Sequence, residues 1–165
     1  MTDIACRPAT ATDAETIASI YAHHVLHGTG TFDTVPHDAA HWRNRIAEIV
    51  ARGWPFLVAD RAGEVVGFAY AAQFRDRAAY ARTCEDSIYV GEGLRGSGVG
   101  TLLMTALIAA APAAGFREMI AVIGGPEPAS VALHAKLGFR EAGRITQVGE
   151  KFGRLLDVVF MQRSV

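Results

Sequence analysis

Arg95-Gly96-Ser97-Gly98-Val99-Gly100 stands between a hydrophobic run, Glu85 to Val90, and a stretch whose apolar residues return at helical spacing. Val99, Leu102, Leu103, Ala106, Leu107 and Ala110 share one face of that stretch, which predicts a strand, a glycine-rich loop and an amphipathic helix. Glycine lets a backbone take positive φ and approach a ligand closely. The first helical turn adds N–H groups without intrahelical acceptors and the positive end of the helix dipole. A diphosphate suits that arrangement, with Arg95 supplying a cation at the rim. Gly91-Glu92-Gly93-Leu94-Arg95-Gly96 also satisfies GxGxxG, but a dinucleotide fold places that motif after its first strand, and here it lies past mid-chain. No Gly-Lys-Ser/Thr follows, which excludes a Walker loop. A glycine-rich turn with no ligand is the plain alternative.

Working outward, Ile4 to Arg7 predicts a first strand, and Thr12 with Glu15 a capping box opening a helix. Ile17, Ala18, Ile20, Tyr21 and Val25 give that helix its apolar face, and it fails near Gly28-Thr29-Gly30. A second helix is expected from His37 to Arg52 on Trp42, Ile46, Ile49 and Val50, stopped by Gly53. Phe56 to Ala59 and Val65 to Phe74 predict paired strands around the turn Asp60-Arg61-Ala62-Gly63. The arginine-bearing loop Arg75 to Arg82 leads into the strand Glu85 to Val90. Pro112 kinks or ends the helix after the glycine loop. Met119 to Ile123 is a further strand, Pro128 to Gly138 a short helix, and Phe139 to Val148 with Leu155 to Met161 a closing hairpin. This order predicts one α/β (α+β) domain over residues 1–165, built on a partly antiparallel sheet.

Bulk properties narrow the function. The chain has 165 residues, half of them hydrophobic, and 16 Lys and Arg against 17 Asp and Glu. A chain of this size and balance builds a real core and lacks the basic surface of a nucleic-acid binder. No apolar run approaches the ~20 residues that cross a bilayer. Met1-Thr2-Asp3-Ile4 carries no export signal, and Cys6 and Cys84 match no CxxC pattern, so a cytoplasmic protein with reduced thiols is expected. His23/His27 and His37/His41 have the i, i+4 spacing of metal ligands, but neither pair has a third ligand, and no metal is expected.

Five further stretches, with the glycine loop, carry a resemblance. Ser87-Ile88-Tyr89-Val90, the glycine loop, and Ala132-Leu133-His134-Ala135-Lys136-Leu137-Gly138-Phe139 resemble the GNAT acetyltransferase superfamily. Thr29-Gly30-Thr31-Phe32-Asp33-Thr34, Phe74-Arg75-Asp76-Arg77-Ala78-Ala79-Tyr80 and Lys151-Phe152-Gly153-Arg154-Leu155-Leu156-Asp157 are similar to signatures of its phosphinothricin and methionine sulfoximine/sulfone N-acetyltransferases. The resemblance implies a mixed, mostly antiparallel sheet flanked by helices and splayed between its two central strands to hold acetyl-CoA. It further implies a homodimer, an acetyl-CoA co-substrate and a small amino-acid-like amine as acceptor. Glu127 stands where the family commonly has an Asn that contacts the cofactor, and Leu155 where it often has Trp.

By this resemblance, backbone groups of Ile88, Tyr89 and Val90 pair with the pantetheine arm. Arg95, Gly96, Ser97, Gly98, Val99, Gly100 and Thr101 surround the diphosphate, with Glu127 and Ser130 beside the cofactor. Glu85 sits at the family's proposed base position, and burial can raise a carboxylate toward a useful pKa. A strand-end Glu paired with an arginine is the alternative. His134 falls where many members carry a proton-donating Tyr; imidazole can serve, or the residue can be structural. Tyr89 can polarise the substrate or simply pack. The substrate side comprises Phe32, Arg75, Asp76, Arg77, Tyr80, Glu85, Asp86 and Ser87. Guanidinium forks at 75 and 77 suit carboxylate, phosphinate or sulfone oxygens, or else belong to a solvated loop. Lys151 and Arg154 add charge from the last hairpin, or are ordinary surface cations of a strand. A different small amine and a silent acyl-CoA-binding module remain open alternatives.

Overall fold

The structure, a computed structural model, describes residues 4–125 and 127–165. The start of the chain from Met1 to Asp3, read above for targeting, lies outside them. Seven strands form one sheet: β1 (Ile4–Pro8), β2 (Phe56–Arg61), β3 (Glu64–Gln73), β4 (Thr83–Val90), β5 (Glu118–Gly124), β6 (Arg140–Lys151) and β7 (Arg154–Ser164). Their spatial order is β1-β2-β3-β4-β5-β7-β6, and every pairing is antiparallel except β4 with β5. Among the described residues the α-helices are α1 (Ala14–His27), α2 (Ala39–Ala51), α3 (Val99–Ala110) and α4 (Pro128–Lys136).

Two apolar clusters cover the two faces of the sheet. On one, Ile17, Val25, Trp42 and Ile49 from α1 and α2 pack on Phe56, Val58 and Phe68. On the other, Val99, Leu103, Met104 and Leu107 from α3 pack on Ala69, Cys84, Met119 and Val159. A β-bulge interrupts β3: Ala59 pairs with Gly67 and Asp60 with Val65, so Val66 is an extra residue. The bulge serves the site directly. The Val66 carbonyl accepts from Gly91 N at 2.9 Å, which pins the entry of the glycine loop. A Cβ on Gly67 would stand 3.1 Å from both Tyr89 O and Val99 Cγ1, so its glycine lets α3 lie close to the sheet.

Several boundaries differ from the sequence reading. The capping carboxylate at the first helix is Asp13, not Glu15: it accepts from Thr10 N at 2.7 Å and is held by Arg7 through two 2.9 Å bonds. Periodicity cannot see that pairing because Arg7 arrives from β1. The second helix starts at Ala39, because Asp38 caps it by accepting from His41 N at 2.8 Å. Val50 is exposed, since the neighbouring Ile49 takes the core position. On α3, Met104 is buried whereas Leu102 is only partly so, a rotation of the apolar face by half a turn or less. The last hairpin is longer than predicted, because cross-strand bonds carry polar residues into both strands.

Candidate active site

The parallel ladder between β4 and β5 runs through four pairs and stops at Asp86 opposite Ala121. Beyond it, Ser87 to Val90 pair only with β3, and Val122 to Gly124 only with β7. The inner edges of the two strands therefore face each other across an opening V. A cleft of about 540 Å³ occupies it, of the size that takes a small ligand or cofactor arm. Glu85, Asp86, Ser87, Ile88, Tyr89 and Val90 form one wall, and Val122 and Ile123 the other. Gly28, Gly30 and His24 close one side; His24 Nε2 lies 2.8 Å from Val90 O, a contact not anticipated from the sequence. Nothing in the chain's local pattern distinguishes His24 from its neighbour His23.

At the open end lies the glycine loop. Gly93, Gly96 and Gly98 have φ of 74°, 78° and 91°, values an L side chain rarely adopts. Leu102 N is the first on α3 to bond back into its helix, to Gly98 O at 2.9 Å. The N–H groups of Val99, Gly100 and Thr101 therefore lie in the unsatisfied first turn. Arg95, Gly96, Gly98, Gly100 and Thr101 line the cleft. Ser97 does not, because its hydroxyl turns back to Leu94 O at 2.6 Å, and the Val99 side chain is buried in the core. Glu127 and Ser130 line the cleft from the α4 side.

Two ionisable groups sit where the V closes. Side chains alternate along a strand, so Glu85 and Asp86 project to opposite faces. Burial raises the Glu85 carboxyl to about 7, with the Asp86 charge adding to the rise and Arg75 opposing it. Asp86, expected on the substrate side, lines the cleft and also meets α4, where Oδ1 lies 3.1 Å from His134 Nε2. His134 is 1% exposed, and its Nδ1 is 2.7 Å from Ser130 O. Desolvation pulls the imidazole pKa down, but the Asp86 bond and charge together with the Ser130 carbonyl hold it above its ordinary value. Tyr89 is partly buried, and desolvation followed by its tyrosine neighbours keeps its phenol neutral.

Of the remaining substrate-side residues, Ser87 lines the cleft, whereas Phe32, Arg75, Asp76, Arg77 and Tyr80 do not. Arg75, Asp76 and Arg77 are exposed on the loop before β4, which Gln73 Nε2 braces by donating to Arg75 O and Arg77 O at 2.6 and 3.2 Å. Arg75 stacks on Phe74 at 4.6 Å, and Phe74 meets the Tyr80 ring at 5.7 Å. Phe32 lies on the backbone of Gly124 and Gly149; a Cβ on Gly124 would stand 2.6 Å from its ring. Lys151 is not a surface charge. It is 4% exposed, and its Nζ donates to Thr31 O at 2.9 Å, tying the hairpin to the Phe32 loop. Leu155 and Arg154 are exposed. Among the described residues no group of three or more His, Cys, Asp or Glu side chains is placed to hold a metal ion. His37 and His41 stack ring on ring at 3.9 Å, and His37 meets Asp33 at 3.1 Å.

A parallel pair parting into a V beside a glycine loop and helix N-terminus is matched by a family comparison. Residues 17–139 fit the model of the acetyltransferase (GNAT) family. The chain belongs to that family. Among relatives of this acetyltransferase, the phosphinothricin N-acetyltransferase of Alcaligenes faecalis is 45% identical over 154 residues, covering 93% of this chain and 78% of the relative. An L-methionine sulfoximine/L-methionine sulfone acetyltransferase of Pseudomonas paraeruginosa is 42% identical over 163 residues, covering 96% and 93%. The crystal structure of a phosphinothricin acetyltransferase from Sinorhizobium meliloti, solved in complex with AcCoA, superposes with a TM-score of 0.95 at 44% identity. It covers all of this acetyltransferase and 89% of that chain. The mixed, mostly antiparallel sheet flanked by helices is thus the family's fold.

Proposed function

We propose that this acetyltransferase moves the acetyl group of acetyl-CoA to the α-amine of a small amino-acid-like substrate such as phosphinothricin, methionine sulfoximine or methionine sulfone. The carrying observation is the cleft between β4 and β5, with Glu85 on one side of its closed end and His134 on the other. The residues fit the co-substrate. The β4 edge at Ile88 to Val90, where His24 meets the Val90 carbonyl, suits the amides of a pantetheine arm, and the left-handed glycines with the unsatisfied first turn of α3 suit a diphosphate. Acetyl-CoA, bound there, supplies the acetyl group as an activated thioester.

The chain's own residues manage protons. An amino acid's ammonium must lose a proton before its nitrogen can attack, and Glu85, titrating at about 7, is matched to accept it. The nitrogen's second proton balances the one that His134 gives the sulfur as the C–S bond breaks. The net products are the amide, the free thiol and one proton released through Glu85. Arg75 and Arg77 offer forks for the acidic groups of the substrate, while Phe32, Asp76, Tyr80 and Ser87 shape its surroundings. The protein works in the cytoplasm as a homodimer. Two free thiols support the first reading, and exposed Leu26, Val35, Ile145, Val148, Phe152 and Leu155 support the second by offering apolar surface for a second copy.

The test is thiol release from acetyl-CoA with phosphinothricin, methionine sulfoximine, methionine sulfone and unrelated amines in parallel. Release with the first three is expected. Release with unrelated amines alone would keep acetyl transfer and discard the substrate class; silence throughout would leave an acyl-CoA-binding module.

A further inference from the structure

His134 and Asp86 make a buried contact whose proton count is set by geometry. The Ser130 carbonyl can only accept, so the 2.7 Å contact at Nδ1 requires a hydrogen there. A bare Nε2 and an ionised carboxylate cannot bond to each other, so the 3.1 Å contact to Asp86 Oδ1 requires a second proton between them. The two side chains are only 2% and 3% exposed. Asp86 Oδ2 is buried with no hydrogen-bond partner among the described residues, so His134 is the side chain that compensates the Asp86 carboxyl group. The Phe139 ring meets the imidazole edge-on at 4.9 Å and fixes its plane.

Other charged groups around the imidazole are placed differently. Glu85 projects from the opposite face of β4, Lys136 lies two residues further along α4 at the cleft wall, and Arg163 of β7 reaches Phe139 and the Leu137 carbonyl. Among the described residues, Asp86 alone pairs with His134.

We propose that Asp86 is the positioning residue of a proton-holding dyad, keeping His134 doubly protonated where the cleft closes, before acetyl-CoA or amine arrives. The inference rests on the role given to His134 above. When the dyad gives up the proton shared between Nε2 and Asp86 Oδ1 to the departing sulfur, both groups lining the cleft, Asp86 is left as a buried carboxylate beside a neutral ring. That state is poorly solvated, so the dyad takes up a proton again, and the proton shed by the amine balances the cycle. A backbone carbonyl as the second acceptor matters here, because it forbids the ring from satisfying Asp86 by a tautomer change alone.

The experiment is a ¹⁵N-resolved NMR titration of the His134 imidazole in protein free of acetyl-CoA, with the signal assigned by its loss in His134→Gln. Both ring nitrogens should be protonated at pH 7. In Asp86→Asn the midpoint should fall by on the order of one pH unit or more, and Asp86→Glu should recover part of it. In turnover, Asp86→Asn should lower kcat at pH 8 about ten-fold or more, with the fall beginning at lower pH and the KM for acetyl-CoA little changed. A singly protonated His134 at pH 7, or a midpoint unmoved in a folded Asp86→Asn variant, overturns the dyad. If that variant does not fold, the wild-type titration decides alone. Because the titration needs no substrate, failure of the amine panel and failure of the dyad are read separately.

Discussion

Arg95, on the glycine loop, and Glu127, at the N-terminal edge of α4, meet across the mouth of the cleft with Nη1 3.0 Å from Oε1. The family's common Asn at this place is neutral, whereas Glu127 holds the cation that the sequence assigns to the diphosphate. The pair therefore competes with phosphate for Arg95. Exposed pairs of this kind are weak, so the competition is modest. Glu127→Gln should lower the KM for acetyl-CoA roughly two- to five-fold without changing kcat, and added salt should narrow the difference. An unchanged KM would separate Arg95 from phosphate binding.

Glu85 supplies a pH dependence whose sign follows from its environment. Its pKa is raised from 4.5 to about 7, chiefly by burial. Turnover should rise with pH through about 7, and Glu85→Gln should remove that limb while lowering kcat by roughly 10²–10⁴. Stability moves the other way. The folded state holds the proton more tightly than the unfolded chain, so the Glu85 contribution declines as pH rises from 4.5 towards 7. Glu85→Gln should therefore gain on wild type between pH 5 and pH 8 by roughly 2–3 kcal/mol in urea denaturation.

Arg75 touches the same titration from outside the cleft. Its charge opposes the rise in the Glu85 pKa. Arg75→Ala should move the activity limb to higher pH and raise the KM for the amino acid. A KM shift with the limb unmoved would confine Arg75 to substrate contact, and neither change would return the loop to simple solvation.

Phe32 and Gly149 form a seat that one methyl group would fill. Gly149 lies outside the positive-φ set, so Gly149→Ala introduces no backbone strain, only a clash with the Phe32 ring. Overpacking of this kind costs about 1–3 kcal/mol. Phe32→Ala in the same chain should remove most of that loss, and a double-mutant cycle in denaturant measures it. Additive losses would show that the ring moves aside freely.

Lys151 should behave as a strut. Lys151→Met leaves the Thr31 carbonyl without its buried donor, a loss of about 1–3 kcal/mol. The expected outcome is a lower Tm with a raised KM for the amine, as the Phe32 loop loosens. An unaltered Tm would show that water replaces the ammonium.

The hydrophobic periods of α1 and α3, the Pro128 start of α4 and the glycine loop were legible in the sequence because each depends on residues within a few positions of one another. The contact of Asp86 with His134 was not legible because they lie 48 residues apart and strand alternation assigns a face without saying what covers it. Lys151 looked like surface charge because its partner, Thr31, is 120 residues away. The Val66 bulge left no pattern of its own, since β3 is apolar on both faces. By itself, then, the sequence determined the family, the kinds of element and the anion-binding turn, all of which follow from local conformational preference. Tertiary structure alone decided where β4 and β5 part, that His134 meets Asp86 and that Arg95 meets Glu127, because burial and long-range pairing set the protonation and partners of each group.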